Sequence, residues 1–108
     1  KMKFKVNGLT WTVQSVQRDS EKLQVNGKDC LGSTYFQDLQ IYIDRSLPEI
    51  LFRQTVIHEL VHLFTFSFGV HLVSNTETEE PVCDFIGAHL DEIYSITNKI
   101  MNSCYSKG

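Results

Sequence analysis

The residues with the most chemical content are His58-Glu59-Leu60-Val61-His62, at the centre of the run TVIHELVHLF. Four-residue spacing on a helix puts both imidazoles on one face with Cβ atoms roughly 5–6 Å apart, which suits two adjacent ligands of one tetrahedral metal ion. Glu59 points off that line, where a carboxylate can reach a metal-bound water without ligating the ion, as a general base does. Such a centre needs a third protein ligand if its fourth position is to stay open for water. Downstream candidates are His71, Glu77, Glu79, Glu80, Asp84 and His89. Glu80 is preferred because it opens a second long helix with Asp84 one turn later on the same face. Glu80 could then bind the ion while Asp84 accepts the outer N–H of His58 or His62. Glu79 is the alternative third ligand: with Pro81 at the first helical position, a small change in entry angle presents either glutamate. Two histidines on a buried helix can also be ordinary core residues, but burying them beside an acid is costly unless they are paired or bind something.

Two kinds of element must position these groups. Residues 3 to 44 carry short β-rich runs, KFKV, TWTVQSV, KLQV and DLQIYID, punctuated by Asn7-Gly8 and Asn26-Gly27, whose residue types suit positive φ. Arg18-Asp19-Ser20-Glu21 has the composition of a polar hairpin tip, and Gly8, Gly27 and Gly32 read as isolated turn glycines. At Pro48-Glu49 the period changes to that of a long helix, with a proline that needs no N–H and an acid at the positive end of the dipole. Its apolar residues Ile50, Leu51, Val56, Ile57, Leu60, Val61, Leu63 and Phe64 wrap most of the way round, which predicts burial on several sides, and Gly69 suits a left-handed cap. After a connection over His71 to Thr78, a second helix opens at Glu79-Glu80-Pro81 and runs to near Met101, leaving a tail, NSCYSKG, expected to fray. The expectation is an α+β fold: a small antiparallel sheet from the N-terminal half packed on two long helices, as one domain over residues 1–108.

Composition narrows the function classes. At 108 residues the chain has the length of one domain with one modest core. A net charge of −3 without a Lys/Arg cluster argues against nucleic acid as a partner. No apolar run reaches the roughly 20 residues needed to cross a bilayer, no charged-then-apolar leader is present, and three widely spaced cysteines suit a reducing compartment. A cytoplasmic protein without a membrane partner is expected. Ser33-Thr34 shows no nucleophile elbow, and Trp11, Phe4, Tyr35 and Phe36 read as sheet packing. Cys83 reads as a small buried hydrophobe, and His89 and Tyr94 as packing residues on their helix. Nothing in the sequence specifies the oligomeric state or the natural substrate.

Together, His58-Glu59-Leu60-Val61-His62 and Glu80-Pro81-Val82-Cys83-Asp84 resemble the gluzincin metallopeptidases, in which HExxH lies on one helix and a third glutamate on the next. The closer likeness is to minimal gluzincin-like proteins of bacteriophages and prophages, about the size of this chain, and the more distant one to ImmA/IrrE-type metallopeptidases. It extends over most of the chain, including GSTYFQDLQIYID, which is similar to the edge strand that lines the substrate cleft in such enzymes. The resemblance implies a zincin-like minimal domain with Zn2+ held by His58, His62 and Glu80, in the host cytoplasm if phage-encoded. It also implies hydrolysis of a peptide or protein substrate by zinc-activated water, with Glu59 as general base and the peptide added to the strand over residues 39–44. Larger gluzincins stabilise the oxyanion with a histidine or tyrosine from a further subdomain; Tyr35, Tyr42, His71, His89 and Tyr94 are the candidates here. The alternative is a zinc-binding, non-catalytic interaction or regulatory protein of a phage or prophage. A third reading makes the ion a structural staple for a small domain.

Overall fold

The computed structural model describes residues 1–70 and 79–105. The expected connection over His71 to Thr78, with the candidate ligands His71 and Glu77, lies outside them, as do residues 106–108 of the tail.

Strands β1 (Met2–Val6) and β2 (Leu9–Val16) form a hairpin closed at Val6 and Leu9. Asn7 and Gly8 adopt φ of 49° and 82°, the two positive angles a two-residue hairpin turn requires. The Arg18-Asp19-Ser20-Glu21 stretch is not a hairpin tip. Ser20 N–H donates to Gln17 O at 2.9 Å, and the Ser20 hydroxyl caps a single 3-10 turn, Glu21–Leu23. Next come β3 (Gln24–Val25) and β4 (Lys28–Asp29), a separate ribbon around Asn26-Gly27, then β5 (Gly32–Tyr35) and β6 (Gln40–Asp44).

The main sheet has the order β1-β2-β6-β5. Its class is α+β as expected, but the sheet is mixed, because β2 and β6 run parallel, from Thr12 opposite Gln40 to Val16 opposite Asp44. A parallel pair needs a crossover of a dozen or more residues, and the 3-10 turn, the ribbon and β5 supply it. The strand expected to be a free edge is therefore interior: β6 is bonded on both sides, and its residues Ile41, Tyr42, Ile43 and Asp44 are all buried. Among the described residues, β5 is the edge strand on that side.

Where β6 ends, Asp44, only 1% exposed, ties the crossover together. It accepts from Ser46 N–H at 2.8 Å, Ser46 Oγ at 2.7 Å and Arg18 Nη1 at 2.8 Å, while Arg18 also pairs with Asp29. Burial alone would push the Asp44 carboxyl up, but the hydrogen bonds from Ser46 and the Arg18 guanidinium outweigh it and hold the carboxyl below the usual carboxylate range. A depressed folded pKa means stability that is full above the unfolded value, about 4, and lost as pH falls through the folded one. Asp44→Asn is expected to cost about 1–3 kcal/mol at pH 7, the usual worth of bonds to a charged acceptor. In denaturant melts the gap to wild type should narrow below about pH 4.

Helix α1 (Glu49–Phe68) starts after Pro48 and ends at Gly69, whose φ of 65° and ψ of 34° give the left-handed cap. Phe52, Val56, Leu60, Leu63 and Phe64 enter the core, whereas Ile50 is 75% exposed, so burial is on one broad face rather than all round. Helix α2 (Glu80–Cys104) carries proline in its first turn and buries Phe85, Ile93, Ile96 and Ile100. It does not fray at Met101. Cys104 is buried with Sγ 3.8 Å from Val13 O, and the Tyr105 ring lies 5.3 Å from Phe52. α1 packs over β5 and β6, and α2 over β1 and β2. The 3-10 turn covers the other face of β5 and β6, since Ser33 and Tyr35, which alternate with Gly32 and Thr34, both donate to Lys22 O. No helix among the described residues is long and apolar enough to cross a membrane.

Candidate metal centre

α1 presents His58 and His62 to solvent and turns Glu59 inward toward β5. The two Nε2 atoms converge to 3.2 Å, with the rings 4.9 Å apart and inclined at 72°. Two histidines on one tetrahedral zinc, each bond about 2.0–2.1 Å, bring their nitrogens to about 3.3–3.4 Å, so the pair fits two ligand positions.

Glu59 is 5% exposed. The Thr34 hydroxyl donates to its Oε1 at 2.7 Å, and Oε2 stands 3.9 Å from His58 Nε2, beyond direct hydrogen bonding. β5 comes this close because of Gly32. A Cβ there would lie 2.7 Å from Thr55 Cγ2, 3.1 Å from Glu59 Cγ and 3.2 Å from Glu59 Oε2. Gly32 is thus a close-approach glycine inside a strand and not a turn glycine. Neither Thr34 nor Gly32 was marked for the site by its sequence; the one available signal was a glycine two residues before a hydroxyl in a β-capable run.

Two adjoining clefts meet at Glu59, sharing Cys30, Gly32 and His58. One, of about 370 Å³, is walled by Leu31, Leu51, Gln54 and Thr55; the other, of about 250 Å³, by Val25, Thr34, Phe36 and His62. Beyond the smaller cleft the exposed rings of Phe36 and Phe66 stack at 4.6 Å, with Trp11 edge-on to both.

No protein-family model, curated protein or solved structure matches the chain.

The other residues expected at the site are less concentrated. Glu79, Glu80 and Asp84 are exposed at the start of α2, and among the described residues no three His, Cys, Asp or Glu side chains are gathered as a metal-binding group. Cys83 is exposed there, contrary to the packing role expected, and Cys104 is the buried thiol. His89 packs among Phe64, Phe68 and Phe85 as its helical position predicted. Tyr94 is exposed beneath the Arg53 guanidinium. Tyr35 and Tyr42 meet edge to face on the sheet face turned away from Glu59, so neither is placed to stabilise an oxyanion at that carboxylate.

Proposed function

We propose that the protein is a zinc-dependent metallopeptidase with Glu59 as its general base. The observation that carries this reading is the convergence of two histidine Nε2 atoms beside a buried carboxylate where two clefts meet. His58 and His62 would hold the ion as neutral imidazoles, each with its proton on Nδ1. Glu80 from the start of α2 is the proposed third ligand and Glu79 the alternative, with Asp84 as a hydrogen-bond acceptor for a histidine N–H. A zinc ion held there supplies Lewis acidity, which makes water a nucleophile near neutral pH and polarises a carbonyl.

The chain's own groups do the rest. Glu59 Oε2, the oxygen that Thr34 leaves unengaged, takes a proton from the attacking water and returns it to the leaving amine, so that water adds across the peptide bond. An extended peptide would pair with the outer edge of β5, through main-chain hydrogen bonds. The walls formed by Leu31 and Leu51 on one side, and by Val25 and Phe36 on the other, favour apolar side chains flanking the bond cut.

Metal analysis of the purified protein tests the site. One zinc per chain is expected for wild type and a loss of at least tenfold in zinc affinity for His58→Ala, since each ligand bond contributes to a site with few protein ligands. A metal-free wild type, or His58→Ala with undiminished zinc, would overturn the reading. The second reading, a zinc-binding interaction or regulatory protein without catalysis, is favoured by one observation: Val82, Ile86, Leu90 and Tyr94 form an exposed apolar row along α2. It shares the ion and separates on whether any peptide is cut.

A further inference from the structure

We propose that Thr34 is a positioning residue for Glu59, and that edge strand β5, rather than the helix bearing Glu59, selects the carboxylate oxygen that moves the proton. The proposal rests on the metallopeptidase reading. A glutamate side chain has enough rotamer freedom to cost on the order of 1.5–2 kcal/mol when fixed, so a base on a helix needs something outside the helix to hold it. Here one face of β5 holds it by a hydrogen bond and makes room for it beside a glycine. Thr34 donates to Oε1 at 2.7 Å, and two residues earlier Gly32 leaves open the space on the Cγ and Oε2 side that a Cβ would crowd at 3.1 and 3.2 Å. Threonine suits the task, because its branched Cβ restricts χ1 and the hydroxyl is held in place at little entropic cost. With Oε1 engaged, Oε2 is the oxygen on the side of His58 Nε2, 3.9 Å away. The same strand edge that would dock the peptide therefore also aims the base at it.

The test uses Thr34→Val, which removes the hydroxyl at nearly constant volume, and Thr34→Ser, which restores it. In metal-free protein carrying 13C-labelled glutamate, the Glu59 carboxyl resonance is identified by its disappearance in Glu59→Gln. It should move in Thr34→Val and return in Thr34→Ser. In zinc-loaded protein, Thr34→Val should lower kcat about ten- to a hundredfold, the scale of a misplaced catalytic group, with KM and zinc content unchanged. Thr34→Ser should recover kcat to within about threefold. Thr34→Ala stands in if the valine variant does not fold. An unmoved Glu59 resonance, or Thr34→Val with wild-type kcat, overturns the proposal. Wild-type protein that cleaves no peptide removes the metallopeptidase reading instead, while a moved resonance still upholds the hold of Thr34 on Glu59.

Discussion

Under the proposed metallopeptidase function, Glu59→Gln is expected to lower peptide hydrolysis by about 10²–10⁴-fold, the usual contribution of a positioned general base, while zinc content stays at the wild-type value. The glutamine keeps the shape of the side chain and an oxygen that can accept from Thr34, so the cleft walls and the histidine pair are unaltered. The stability change should run the other way. A carboxylate that is 5% exposed is costly to desolvate, and a neutral amide in its place removes that cost. Thermal melting should show an unchanged or higher midpoint, with a gain on the order of 1 kcal/mol, as when an active-site group is traded for stability. Cleavage kinetics, metal analysis and melting on one preparation check all three. Loss of activity together with loss of stability would mark Glu59 as a packing residue.

The largest stability effect is expected at Trp11. It is 0% exposed, fills the space between β2 and α1, and has Phe36 and Phe66 edge-on at 6.4 Å each. Trp11→Ala should cost about 3–5 kcal/mol, because the cavity left by so large a ring cannot collapse fully. For a domain of this size that lowers the melting midpoint by on the order of 20 °C. Trp11→Phe should cost far less, because the ring is largely kept and the indole Nε1 is buried with no hydrogen-bond partner among the described residues, so that its loss offsets part of the cost of the lost volume. The alanine variant should also weaken the smaller cleft, since Phe36 lines it and leans on Trp11. Melting curves of the two variants, compared with wild type, decide the matter; equal losses would mean that packing volume is not the cause.

The parts of this architecture legible in the sequence are those set by neighbours along the chain. The HELVH spacing, the proline before α1, Gly69 at its end and the Asn-Gly turns each act within a few residues, and each is found where its chemistry put it. The histidine pair is of the same kind, because α-helical spacing alone brings its nitrogens together. What sequence patterning missed depends on pairings between distant segments. Parallel pairing of β2 with β6 is chosen by how a 23-residue crossover folds, and alternation cannot distinguish it from an antiparallel neighbour. Strand β5 is four residues long and begins with glycine, so it carries little periodic signal, yet it brings Thr34 and Gly32 against Glu59. Cys83 is exposed where its residue type suggests burial, because the first turns of α2 turn most of their side chains outward, Phe85 being the exception.

Cys104 touching Val13 has a consequence for how the molecule is made. The two residues are 91 positions apart, and with Ile100 and Tyr105 they join the last turn of α2 to the second strand and to Phe52. No shorter stretch of the growing polypeptide contains the whole core. Closure of so wide a loop, together with a parallel pairing, makes assembly slow and all-or-none compared with that of a bundle of local helices.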